Sequence, residues 1–326
     1  MLGRVKSGGE VVNCSLVVSV IDHKCNRQAV RIHFNNLKLI KAGKMFTELG
    51  ISLLCYASTF VLCHVLRFFL RRLLPRASYP YAAEFVDTFH MICCLYENGM
   101  VLKLGLLPFA VCLFTLSIVY AFLFEGFANP AVVLDYVLRR KVSFLTGVFR
   151  VMLELIAAIV AYRYTTFVWK TFAPSSRHYQ AATVEMLAEN CSTGLNVSPL
   201  LGFAFEMTSV AFLKLVAGYF HGGRRFWRII NGVISVAIIL FGLEYTGAPM
   251  NPILGFASGW GCKDHWVPSH LFVFWLGPFL GISIGDWVID NLMDADGKRT
   301  MTTSAAKSRE RNGVVLEQNG NHEKIH

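Results

Sequence analysis

Two Asn-Pro pairs, Asn129-Pro130-Ala131 and Asn251-Pro252-Ile253, each lie 45 residues beyond a glutamate set in an apolar run, Glu84 and Glu206. A shift of 122 residues superposes Glu84 on Glu206, Asn129 on Asn251 and Pro130 on Pro252, although few other residues match. A bilayer core has no water to satisfy a broken helix, so Asn-Pro at membrane depth requires a protected cavity. Two such breaks at corresponding points of two halves locate that cavity. Three apolar runs separate the corresponding points, an odd number, so the second half is expected to be inverted in the membrane.

Composition agrees with this reading. The 326-residue chain is 54% hydrophobic and 16% charged, with a mean hydropathy of +0.48, which is too apolar for a soluble domain. Runs at 47–70, 81–102, 105–125, 144–170, 200–220, 229–247 and 271–292 suffice, at about 1.5 Å per residue, to cross roughly 30 Å of hydrocarbon. A net charge of +10 in a soluble chain would suggest nucleic acid. Here the basic residues cluster at span ends and set orientation instead. Placing Arg67, Arg71, Arg72 and Arg76, Arg139, Arg140 and Lys141, and Arg224, Arg225 and Arg228 in the cytosol gives one consistent topology.

Residues 1–45 read as a poorly ordered extension without a signal-peptide pattern, and 294–326 as a disordered cytosolic tail. Between them lies a channel domain, 46–293, with repeats at about 81–170 and 200–292. The long internal loop, 171–199, faces away from the cytosol and carries the acceptor patterns Asn190-Cys191-Ser192 and Asn196-Val197-Ser198. Most cysteines sit in apolar runs without C-x-x-C spacing, so no disulfide framework is expected.

Asparagine is a strong N-cap and proline suits the first helical position, so each pair should open a helix. The segments Pro130–Leu138 and Pro252–Trp260 would span only about 13 Å, roughly half the apolar core. Two inverted half-helices would meet head to head, each presenting about half a positive charge and free N–H donors. Cations would be repelled there. Each asparagine oxygen can cap its own helix while its amide NH2 faces the pore, an arrangement that opposes a proton wire. Glu84 and Glu206 should accept hydrogen bonds from the unwound backbone leading into each half-helix.

These features resemble the aquaporin superfamily over residues 47–292, through Ala83-Glu84-Phe85 with Thr88, Asn129-Pro130-Ala131, Glu206 and Asn251-Pro252. The chain is most similar to the unorthodox superaquaporins, the vertebrate members numbered eleven and twelve. Cys262, Phe274-Trp275-Leu276-Gly277-Pro278 with Leu280-Gly281, and Arg150, Glu154, Arg163 and Tyr164 carry this narrower match. The resemblance implies an all-α multi-span membrane protein with six spans, two re-entrant half-helices and one extra N-terminal span. It also implies a homotetramer in an intracellular membrane, the endoplasmic reticulum above all. Water is the implied permeant, with glycerol and hydrogen peroxide as further solutes. No cofactor, metal, enzymatic chemistry or nucleic-acid partner is implied; the partners are the lipid bilayer and the permeant solutes.

The family pattern puts the selectivity constriction at Phe109, Ile239, Ala248 and Leu254, the last where orthodox members carry arginine. An apolar constriction offers a lone water few hydrogen bonds but tolerates an alkyl face such as that of glycerol.

Other polar residues have simpler readings. Asp87 and His90 share a face with Glu84 and are expected to bond a neighbouring helix or line a vestibule. Arg150 and Glu154, four apart, suggest an intrahelical ion pair. Arg163 should snorkel, Cys262 should pack under the second half-helix, and Trp260, Trp266 and Trp275 should anchor at the interface. Arg309-Glu310-Arg311 resembles a weak retention signal, and His322 and His326 need no metal. Two other functions stand beside the channel: a proton-coupled transporter using Glu84, Asp87 and His90, and a non-conducting scaffold occluded by Phe109, Ile239 and Leu254.

Overall fold

A computed structural model describes residues 6–7, 10–11, 23–187, 189–219 and 225–295. The chain divides into two compact units, Met1–Thr47 and Glu48–His326. In the first, Lys6–Ser7 pairs antiparallel with Glu10–Val11. A long helix, α1, runs His23–Leu73 and so begins within the stretch read as an extension. Arg224, the tail motif Arg309-Glu310-Arg311, His322 and His326 lie outside the described residues.

The remaining architecture is helical. Helices α2 (Tyr79–Leu102), α3 (Leu106–Leu123) and α5 (Phe144–Phe172) make up the first half with the short α4 (Pro130–Leu138), which packs against α5. Helices α7 (Pro199–Tyr219), α8 (Arg225–Gly242) and the final span make up the second with the short α9 (Pro252–Gly259), but each short helix crosses over: α9 packs on α5 and α2 of the first half, and α4 packs on the final span. The loop between halves contains α6 (Arg177–Gln180), continued by a π-helical turn, Ala181–Glu185. The final span comprises α10 (Val267–His270), a π-helical turn at Leu271–Leu276 and α11 (Gly277–Ala295).

Among the described residues, five helices are long and apolar enough to cross a membrane: Gly43–Leu73, Leu106–Leu123, Phe144–Phe172, Pro199–Gly218 and Val267–Asn291. Helix α2 has 24 residues, about 36 Å at helical rise, but carries Glu84, Asp87 and Glu97, all buried. Helix α8 has a shorter apolar segment, Ile229–Gly242. The sequence repeat reappears in packing: α2 lies on α5 in the first half, and α7 lies on α11 in the second.

The α7–α11 contact depends on Gly277, Gly281 and Gly285, which recur every four residues on one stripe of α11. A Cβ on Gly281 would lie 2.5 Å from the Met207 carbonyl oxygen, and one on Gly285 would lie 3.1 Å from that of Ala211. Small residues at this spacing let membrane helices touch backbone to backbone. Gly281→Leu is therefore expected to push the helices apart and to destabilise the fold by about 1–3 kcal/mol or more. A lowered thermal unfolding midpoint in detergent would show it.

In the first half the core joins Val86, Phe89, Ile92 and Cys93 of α2 with Ala157, Ala158 and Ala161 of α5, Cys63 of α1 and Ile253 of α9. The part of α1 from Glu48 onward is fastened to this body. Tyr56 donates to Asn98 at 2.7 Å, Arg67 pairs with Asp87, and Glu48 accepts from the Arg177 N–H. His178 lies between Glu48 and Glu97, and Glu97 also accepts from the Trp169 indole.

Candidate functional site: two half-helices joined at their N-termini

Each Asn-Pro pair opens a helix in the way its chemistry dictates. Asn129 and Asn251 have extended backbones, φ −159° and −152°, and their Oδ1 atoms accept from the N–H of Ala131 and Ile253 at 3.0 and 3.1 Å. These are N-cap bonds, with proline at the first helical position where no donor is needed. Helices α4 and α9 touch one another. Helix α9 ends at Gly259, one residue before the expected Trp260, whose backbone is extended.

The asparagine amides do not both face an open channel. Asn251 Nδ2 donates to the Ala128 carbonyl at 2.9 Å. One of its two amide hydrogens thus ties the second box to the residue that precedes the first.

The lead-in to both boxes is strained in the same way. Ala128 and Met250, one residue before each asparagine, have φ of 47° and 48°, a region that costs a non-glycine residue about 1–3 kcal/mol. Their N–H groups are then aimed away from the helix and into a buried carboxylate. Ala128 donates to Glu84 Oε1 at 2.6 Å, and Met250 to Glu206 Oε2 at 2.8 Å. Both glutamates are wholly buried.

The two carboxylates differ in their second partner. Glu84 pairs with Arg150 Nη1 at 2.5 Å, so the expected ion pair between Arg150 and Glu154 is replaced by one across helices. Position explains the choice: Glu84 carries the lead-in and is the carboxylate Arg150 reaches from α5, while Glu154 lies buried beside it. Glu206 instead accepts from Thr246 Oγ1 at 2.6 Å, and that hydroxyl accepts from the Ala248 N–H at 3.0 Å. Among the described residues Glu206 has no ion-pair partner.

The four residues expected at the constriction fall on separate elements. Phe109 is buried on α3 and Ile239 is half-buried on α8, two helices that pack together. Buried Ala248, at φ 49°, sits in the loop before the second box, its Cβ close to Gly242. Leu254 is half-buried on α9, beside the core that holds Ile253.

Cys262 overturns its expected packing role, and the expectation of no disulfide, by bonding to Cys191. Cys191 lies in the loop expected to face away from the cytosol, where oxidising conditions allow such a bond. Beside it, Asp264 accepts from Ser192 Oγ at 2.9 Å and from the Thr193 N–H at 3.0 Å. Partial burial pushes the Asp264 carboxyl up, but these hydrogen bonds outweigh it and hold the group below the ordinary carboxylate range. Such a group stabilises the fold above its unfolded pKa, and the stabilisation disappears as pH falls through the lowered value. This clasp should therefore persist at neutral pH and loosen only in strong acid, which proteolysis of the 190–196 segment as a function of pH would reveal.

Asp87 and His90 bond a neighbouring helix, namely α1, through Arg67. Arg163 is exposed, as a snorkelling residue would be. Trp260 and Trp266 are exposed, whereas Trp275 lines an apolar cavity of about 450 Å³ with Pro130, Pro252 and Phe279. Sequence reasoning missed Arg67, Thr246 and Cys191. Arg67 carried a signal, since it stands between Leu66 and Phe68 inside an apolar run rather than after it.

Comparison with known proteins gives a match to the family model described as Major intrinsic protein over residues 81–289. Aquaporin-11 of Milnesium tardigradum is 30% identical over 203 residues, covering 62% of this chain and 72% of that protein. Aquaporin-11 of Homo sapiens is 26% identical, covering 72% of this chain and 86% of that protein, and Aquaporin-12 of Mus musculus is 25% identical, covering 72% and 83%. The matched region spans both boxes and both buried glutamates.

Proposed function

The chain belongs to the major intrinsic protein family and is a multi-pass membrane channel rather than an enzyme; from that premise we propose that it conducts water and small neutral solutes passively between its two half-helices. The observation that carries this reading is the joined pair of caps. Each asparagine caps its own helix, and Asn251 also reaches the lead-in of the other box. The N-terminal ends of α4 and α9 then concentrate positive potential where a solute must pass, which admits neutral molecules and opposes cations.

Phe109, Ile239, Ala248 and Leu254 form the proposed constriction. It contains no ionisable side chain, so a solute with an alkyl face loses less there than in an arginine-bearing filter. Glycerol and hydrogen peroxide are the proposed solutes beside water. Similarity to the relatives named Aquaporin-11 and Aquaporin-12 supports residence in an intracellular membrane, with endoplasmic reticulum proposed, and assembly as a homotetramer. The proton-relay alternative loses support because both oxygens of Asp87 are committed, one to Arg67 and one to backbone N–H groups.

Purified protein in liposomes tests the proposal by osmotic jumps with glycerol and peroxide gradients. Flux of at least one neutral solute above that of empty liposomes is expected. Leu254→Arg should lower glycerol permeability relative to water by about tenfold, the factor for roughly 1.4 kcal/mol of differential stabilisation. An unchanged ratio would place the constriction elsewhere.

A further inference from the structure

We propose that Arg67 of α1 is a positioning residue for the pore, acting through Asp87 on the backbone that leads into the first box. The proposal extends the channel reading by making the extra N-terminal helix a working part of the pore.

The contacts form a continuous chain. Arg67 donates through Nε to Asp87 Oδ1 at 2.7 Å, its Nη2 lies 2.6 Å from the same oxygen, and Nη2 is also 3.2 Å from His90 Nδ1. The other oxygen, Asp87 Oδ2, accepts from the N–H groups of both Glu125 and Gly126 at 2.7 Å. Arg71, one turn further along α1, pairs with the Glu125 side chain, and the Arg67 guanidinium stacks 5.4 Å from the Phe124 ring centre. Two residues beyond Gly126, strained Ala128 donates to Glu84 and accepts from Asn251. A pull on Arg67 is thus transmitted through four consecutive lead-in residues to both boxes.

Two features argue that this is built for position rather than for packing alone. Gly126 is pressed so close to α2 that a Cβ would lie 2.7 Å from Glu84 Cα, so a small displacement of the loop moves the Glu84 contact. The repeat also breaks here. The position 122 residues after Asp87 is Ser209, which offers no carboxylate, and among the described residues α1 has no counterpart in the second half. The carboxylate appears only where α1 can hold it.

The test uses the full chain in nanodiscs and liposomes, with hydrogen exchange at residues 124–128 as the direct readout. Removing only Arg67 would strand a buried charge, so the informative variant is Arg67→Leu with Asp87→Asn, which removes both charges yet leaves an amide oxygen to accept from Glu125 and Gly126, so that exchange there reports the loss of the Arg67 hold. Exchange at Glu125 and Gly126 should accelerate roughly tenfold, the size expected for losing one net hydrogen bond, and the water-to-glycerol permeability ratio should change. Arg67→Lys, which retains the charge but loses the guanidinium fork, should give a smaller acceleration and keeps the test valid if the double variant does not fold. Unchanged exchange at 124–128 in the folded variants would overturn the proposal. Faster exchange in a protein whose wild type conducts nothing would uphold the positioning role while defeating the channel reading.

Discussion

Glu84→Ala is expected to leave little folded protein in detergent. The carboxylate is wholly buried, accepts the N–H of strained Ala128 and neutralises Arg150, whose side chain is 13% exposed. Removing one partner of a buried pair costs about 3–5 kcal/mol, because the other charge stays buried and uncompensated. That is a large share of a typical stability of about 5–15 kcal/mol. Glu206→Ala should be milder. It frees the Thr246 hydroxyl and the Met250 N–H but strands no charge, which corresponds to about 1–3 kcal/mol per unsatisfied group. Arg150→Leu together with Glu84→Ala should recover much of the lost stability, since the stranded charge is then gone. Thermal unfolding followed by size-exclusion chromatography would rank the variants. Equal damage from Glu84→Ala and Glu206→Ala would refute the proposed asymmetry between the halves.

Loss of the disulfide should have the next largest effect. Cys191 and Cys262 are separated by 71 residues, so the bond closes a long loop and restricts the unfolded chain by an amount usually worth about 2–4 kcal/mol. It also binds the loop between the halves to the segment that follows α9. Cys262→Ser and Cys191→Ser should each lower the unfolding midpoint by the same amount, and the double variant should add nothing further, since either single change already breaks the bond. Reductant should lower the wild-type midpoint and leave all three variants unmoved. If the two single variants differ widely, one cysteine has a second role.

What the sequence makes legible here is whatever repeats or caps. The Asn-Pro pairs specify their own helices through local geometry, and the shared spacing from Glu84 and Glu206 foretells that each lead-in N–H meets a carboxylate. The short α4 and α9 follow from the same residues. Contacts set by tertiary approach are not legible. Arg150 has Glu154 four residues away yet reaches Glu84 on α2, because intrahelical spacing reveals nothing about the neighbouring helix. Cys191 and Cys262 pair across 71 residues, and connectivity of that kind cannot be read from spacing. Arg67 was hidden by its company. Beside Arg71, Arg72 and Arg76 it resembles an orientation signal; its place between Leu66 and Phe68 is the one sequence cue against that, and its burial shows that it points into the protein.

The central claim is that two half-helices, held end to end through Asn251 and the first lead-in, exclude cations while passing neutral solutes. The direct measurement is simultaneous recording of osmotic water flux and proton leak in liposomes carrying wild-type protein or Asn251→Asp. A carboxylate at the meeting point would offset the positive helix ends. Wild type is predicted to raise water flux without proton leak, and Asn251→Asp to admit protons or other cations. Wild-type flux no greater than that of empty liposomes, or an Asn251→Asp variant identical to wild type in both flux and leak, would contradict the account.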